Sequence, residues 1–167
     1  MISQDPPVAD FHGHEIYPMP MFATIAVADV TTVSGWYQQA LGFAVVFAAP
    51  GAALVHLRRR KYQDVLIVPT KAGAGTGSCV PTLTISFGAD SEGEIDELAA
   101  RAHAVPSLGA SAVAGPAATP WNTIDLRVTD PAGHQLVFTA RNPNPDPEQA
   151  GRMQAMFDRA RKTNTLG

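Results

Sequence analysis

The chain has 167 residues, 46% hydrophobic and 16% charged, with a formal net charge of −3. That length suits one domain, or two small modules sharing a core, and the apolar content excludes disorder over most of it. The acidic balance, with a pI near 5.9, argues against nucleic acid as a partner, because displacing counterions needs an excess of Lys and Arg.

Four cations in a row, Arg58-Arg59-Arg60-Lys61, are the local exception and are expected to be a solvated turn. A lone cysteine, Cys79, cannot form an internal disulfide, so nothing requires an oxidising compartment. The opening residues lack a basic region followed by an apolar run, and no stretch approaches the roughly 18 apolar residues of a membrane span. The expectation is a cytoplasmic protein without a membrane segment.

In chain order, residues 1–17 are polar and proline-containing, an expected flexible arm. Met21 to Val27 alternates as a strand ended by Asp29. Thr31 or Thr32 is expected to cap a helix through Trp36, Tyr37, Ala40 and Leu41, with Gly42 as its stop. Strands are expected over Phe43 to Phe47, Ala53 to Arg58 and Val65 to Val68, the last two joined by a hairpin at Arg59 to Gln63. Residues 71–78 form a glycine-rich linker; no Gly-Lys-Ser/Thr follows, so it is not expected to be a phosphate loop.

The same order then recurs. Thr82 to Phe87 is a strand closed by Asp90, Glu92 to Ala104 a helix, and Ala110 to Val113 a short strand before a loop at Pro116 to Pro120. Asn122 to Val128 and Gln135 to Ala140 make a closing hairpin. Asp29 and Asp90 thus mark an internal repeat of about 60 residues. Prolines extend residues 142–147, and a last helix is expected from Pro147 to about Lys162, with Met153, Met156, Phe157 and Ala160 on one side. That stripe suits packing on its own domain or a dimer contact.

Three pieces resemble the vicinal oxygen chelate superfamily of glyoxalases, bleomycin-resistance proteins and extradiol dioxygenases. They are Ile25-Ala26-Val27-Ala28-Asp29 with Trp36-Tyr37 and Leu41-Gly42-Phe43, then Pro120-Trp121 nine residues before Asp130, then Asp130-Pro131-Ala132-Gly133-His134. The resemblance covers residues 18–141. It implies an α+β fold of two βαβββ modules, about 18–70 and 80–141, forming a curved mixed sheet around a ligand cavity, with residues 142–167 as linker and C-terminal helix.

Family enzymes hold a metal with His, Gln or Glu from four strands. The resemblance assigns those positions here to Phe22, seven residues before Asp29, to Leu83 (or Thr82 with a one-residue shift), to Val137, and to the stretch Leu66-Ile67-Val68. Phenylalanine, leucine and valine offer no lone pair. No metal, no other cofactor and no catalytic residue is therefore expected, and the chain looks closest to the metal-free bleomycin-resistance members. His12-Gly13-His14-Glu15 has a chelating spacing but lies in the arm, where solvated histidines are the ordinary outcome.

Alternation sorts the strand faces. Ala23, Ile25, Val27, Val55, Leu57, Ile124, Leu126, Leu136 and Phe138 should pack under the helices. Phe22, Thr24, His56, Arg58, Thr123, Asp125, Gln135 and Val137 should face the cavity, mixing apolar walls with a few polar groups. For the Thr82–Phe87 strand two phases stay open: Leu83, Ile85 and Phe87 facing the cavity, or Thr82, Thr84 and Ser86.

Trp121 offers a flat surface and one N–H for a planar ring, and the resemblance places its loop at the drug groove. The expected ligand-binding set is Trp121, Phe22, Thr24, Phe47, His56, Arg58, Phe87, Thr123, Asp125 and Val137, with Tyr62 beside them. The expected function is sequestration of an antibiotic or similar planar metabolite in grooves between two subunits of a homodimer. The rival is an enzyme of the same superfamily, using His56 with Asp125 as acid and base or recruiting a metal.

Overall fold

The computed structural model describes residues 22–60, 63–70 and 83–164. The arm, the glycine-rich linker, Cys79, Thr82 and Tyr62 lie outside them.

Each half of the chain builds its own four-stranded sheet. The first contains β1 (Ala23–Val27), β2 (Ala44–Ala48), β3 (Val55–Arg58) and β4 (Asp64–Pro69), in the order β1-β4-β3-β2. The second contains β5 (Thr84–Gly88), β6 (Ala112–Ala118), β7 (Thr123–Thr129) and β8 (Gln135–Arg141), in the order β5-β8-β7-β6. In both, the first and last strands pair in parallel and the rest antiparallel. Parallel neighbours need a crossover, which α1 (Val30–Leu41) and α2 (Glu92–Ala104) supply. The expected strand–helix–three-strand repeat is therefore the observed one.

The start of α1 differs in detail from expectation. Asp29, not Thr31 or Thr32, is the N-cap: its Oδ1 accepts the Thr32 amide at 3.0 Å and its Oδ2 the Thr32 hydroxyl at 2.6 Å. Those bonds, the hydroxyl's first, hold the Asp29 carboxyl below its ordinary range. Gly42 ends the helix at φ +72°, the left-handed conformation expected of a C-cap glycine. Helix α2 is capped by Ser91, whose Oγ accepts the Glu94 amide, while Glu94 Oε2 accepts the Asp90 amide.

The short strand expected at Ala110 to Val113 is longer and later. β6 runs through Pro116 by taking a bulge between Ala114 and Ala117 opposite β7. Proline and glycine are tolerated there because a bulge leaves a residue out of the ladder. A Cβ on Gly115 would sit 2.8 Å from the Asp125 carbonyl oxygen. An equivalent irregularity lies between Val45 and Phe47 of β2.

The helix-facing sides of both sheets share one core. Ile25, Leu57, Val65 and Ile67 come from the first sheet, Leu126, Val128, Leu136 and Phe138 from the second, and Tyr37, Leu41 and Ile95 from the helices. Phe43 meets Phe87 edge-on at 5.7 Å between ring centres, and Phe87 stacks on Phe138 at 5.2 Å. The Tyr37 hydroxyl donates to Asp130 Oδ2 at 2.8 Å, joining α1 to the β7–β8 turn. Burial, reinforced by the Asp130 charge, pushes that phenol well above its ordinary value.

The arginine run corrects the sequence expectation most sharply. Arg58, Arg59 and Arg60 are buried, not solvated. The turn after β3 meets the first turn of α2, where carboxylates wait: Arg59 pairs with Glu94, and Arg60 reaches Asp90 at 2.6 Å and Glu94 at 2.7 Å. Arg59 also lies 5.2 Å above the Phe138 ring. Cations can be buried only when paired, and the partners of Arg59 and Arg60 come from the other half of the chain. Helix α3 (Pro147–Asn164) leaves most of its described side chains exposed, Met156 among them, with Met153 half-buried.

Candidate functional site

The faces turned away from the helices are half-exposed and chemically mixed. On the first sheet, Thr24 lies beside Leu66, His56 lies between Leu66 and Phe47, and Arg58 lies between Asp64 and Ala44. Asp64 is wholly buried, and its Oδ1 contacts His56 Nε2 at 2.6 Å and accepts Arg58 Nε–H at 2.8 Å. Phe47 is 55% exposed and Phe22 46%. An aromatic wall thus flanks a buried ionic cluster.

On the second sheet the same face carries hydroxyls. Thr84 pairs with Gln135 and Ser86 with Val137; Asp125 lies beside Thr139. Asp125 Oδ1 accepts the hydroxyls of Thr123 at 2.9 Å and Thr139 at 2.7 Å, and Thr123 Oγ1 is 2.7 Å from Thr119 Oγ1. Trp121 stands at the tip of the β6–β7 connection, 63% exposed. Its amide donates to Thr119 Oγ1, and Asn122 beside it takes φ +59° to close the turn.

The expected ligand-binding residues therefore fall into two sets. Thr24, Phe47, His56 and Arg58 share the first sheet's open face, with Phe22 just ahead of β1; Thr123, Asp125 and Val137 share the second, with Trp121 in the turn that leads into β7. Phe87 belongs to neither. Its strand takes the phase with Thr84 and Ser86 outward, and Phe87 is buried against Phe43 and Phe138. The cause is the parallel register with β8, which aligns Phe87 with core-facing Phe138. Arg58 shares the open face, but its side chain is only 3% exposed and turned to Asp64.

The acid–base pairing of His56 with Asp125 does not form within the chain, since each is engaged on its own sheet by Asp64 and by the threonines. Asp64 is the residue that sequence reasoning missed. Alternation puts it on the face of Leu66 and Val68, and the hairpin register sets it opposite Arg58. The spacing from Arg58 across a tight turn was the available signal.

The family's metal positions do not fit a metal. Phe22, Leu66, Leu83 and Val137 supply no donor atom, and no group of three or more His, Cys, Asp or Glu suited to an ion exists among the described residues. A separate cleft of about 480 Å³ lies where α1 ends and α2 begins, lined in part by Gly42, Arg59, Arg60, Glu94 and Arg101. The Arg101 guanidinium lies 3.4 Å from where a Gly42 Cβ would stand, close to the negative end of α1. Arg59 and Arg60 are already paired across this cleft, so it is a seam between the halves.

Two βαβββ modules, each with one face committed to a common core and one left half-open, define an α+β fold of paired modules. Solved structures share it. A lactoylglutathione lyase from Agrobacterium tumefaciens is 19% identical, with a TM-score of 0.55 over 75% of this chain and 96% of that one. TioX from Micromonospora sp. ML1 is 20% identical, with a TM-score of 0.57 over 72% and 97%. A glyoxalase-related enzyme from Fulvimarina pelagi is 18% identical, with a TM-score of 0.58 over 77% and 92%. No curated protein matches the chain. The family model described as Glyoxalase/Bleomycin resistance protein/Dioxygenase superfamily matches residues 21–138. The chain belongs to that superfamily. No described helix is long and apolar enough to cross a membrane.

Proposed function

We propose that this protein binds and sequesters a planar small molecule, an antibiotic or a related metabolite, without a metal. The observation that carries this reading is the exposure of Trp121 and Phe47 beside half-buried polar groups on the open faces. Large aromatic side chains left in water beside positioned polar atoms are the composition of a ligand wall. The donor-free metal positions support binding over metal-assisted catalysis. Ring stacking on Trp121 and apolar burial supply the affinity, at about 25 cal/mol per Å² before ordering costs are subtracted.

The two half-sites lie on different sheets, and α3 leaves Met156 exposed, which supports a homodimer whose second copy covers the grooves. The single cysteine and acidic charge support a cytoplasmic protein acting on a diffusible ligand, with the paired modules spanning residues 18–141 as the working unit.

Trp36, the other tryptophan, is 5% exposed, while Trp121 is open. Fluorescence titration with a panel of planar antibiotics is expected to quench saturably at one ligand per chain. Trp121→Ala is expected to abolish the quenching while shifting stability by less than about 0.5 kcal/mol, the usual range for an exposed site. Equal quenching in the variant, or none from any compound, removes the site. One equivalent of tightly held Zn, Ni or Fe in purified protein would turn the reading towards the enzyme.

A further inference from the structure

On the reading that a small molecule lies against the first sheet, the geometry points to what His56 does there. We propose that His56, held by buried Asp64, is a proton acceptor for a weakly acidic hydroxyl, so that the ligand carries a phenol or enol on its planar ring.

The argument starts at Asp64 Oδ1. That oxygen accepts the Arg58 Nε–H at 2.8 Å and lies 2.6 Å from His56 Nε2. Acting as an acceptor, it fixes the hydrogen on Nε2, and in the neutral imidazole that is the Nε2–H tautomer. The lone pair is then on Nδ1. No side chain among the described residues bonds Nδ1, and it is not among the buried unpartnered nitrogens. It meets solvent on the open face.

The neighbours suit a hydroxyaromatic guest. Phe47 and Leu66 lie on either side of His56 in register, an aromatic wall and an aliphatic one. Among the described residues, the titratable and charged groups on this face are Arg58 on the same strand and Asp64 on β4; Phe47 and Ala44 on β2, and Thr24 on β1, carry no charge. When the ligand gives up its proton, its O–H bond breaks, an Nδ1–H bond forms, and the electron pair stays on the ligand oxygen. The new imidazolium faces the Asp64 carboxylate, which stabilises it. Release of the ligand reverses the transfer. His56 thus reads an acidic hydroxyl, and a ligand methylated at that oxygen loses the contact.

Two measurements test this. Nitrogen-15 NMR of the wild-type imidazoles, with His56→Gln for assignment, is expected to show protonated Nε2 and bare Nδ1; the opposite tautomer, or an imidazolium protonated on both nitrogens before ligand is added, overturns the proposal. Para-nitrophenol, whose phenolate absorbs in the visible, is then titrated with protein near the pH where it is half ionised. Wild type is expected to raise the phenolate fraction above the protein-free control. His56→Gln should lose that gain and bind about tenfold more weakly, the cost of a hydrogen bond to a charged group. No gain with wild type, or an equal gain with His56→Gln, refutes it. Para-nitroanisole separates the two readings: Trp121 quenching by it without any phenolate gain from para-nitrophenol leaves sequestration standing and removes the proton acceptor.

Discussion

The two modules have the same strand order, the same parallel and antiparallel pairings, and a bulge at the corresponding strand pair. Their helix-facing sides are interchangeable in kind, rows of Ile, Leu, Val and Phe in one core. Their open faces are not. The first carries a buried carboxylate gripped by an arginine and a histidine; the second carries threonines around one aspartate. The fold constrains one face of each sheet through packing and leaves the other free to acquire chemistry. Polar groups and exposed aromatics therefore collect where the core does not reach.

The modules also differ in what they lend each other. The first gives cations, Arg59 and Arg60; the second gives the carboxylates of Asp90 and Glu94. Breaking that exchange is the largest expected effect. Glu94→Ala leaves two buried guanidiniums short of partners and is expected to lower stability by about 3–5 kcal/mol. Urea denaturation measures it, and a split into two transitions would show that this seam makes the halves one cooperative unit.

The next effect is at Tyr37, the other tie between the halves. Tyr37→Phe removes a buried hydrogen bond to a carboxylate, and about 1.5–3 kcal/mol is expected to go with it. Because the folded phenol is raised above its ordinary 10.0, its contribution is fully present below that pH and lost as pH climbs through the raised value. The stability gap between wild type and variant should be constant from neutral pH to about 10 and close above it. A gap that widens in alkali contradicts the assignment.

The smallest effect compares the two helix starts. Asp29 caps α1, whereas the equivalent Asp90 is spent on Arg60 and Ser91 caps α2. Asp29→Ala is expected to lower the unfolding temperature slightly, and Ser91→Ala to cost about 1 kcal/mol. Only the Asp29→Ala loss should disappear in acid, as its depressed carboxyl protonates. Thermal unfolding across pH reads the difference.

Periodicity made the repeat and the face assignment legible: period 2 in the strands, helical spacing at Ile95, Leu98, Ala99 and Ala102, and the Gly42 stop all lie where the sequence points. The same alternation found His56, Thr24 and Asp125 on the open faces. It failed at Phe87, because a five-residue strand with hydrophobics in one phase and hydroxyls in the other suits either face until β8 sets its register. It failed at β6 because a bulge carries a strand through Gly115 and Pro116, residues that otherwise mark a loop.

Local sequence thus determined the elements, their order and the apolar faces, since these depend on neighbours a few residues away. Tertiary structure alone decided which charges are buried. Arg59 and Arg60 look like a solvated run until α2 brings Glu94 against them, 35 residues along from Arg59, and Asp64 gains its role only when two strands align it with His56 and Arg58. Burial of a charge depends on a partner, and partners distant in the chain are found only in the folded state.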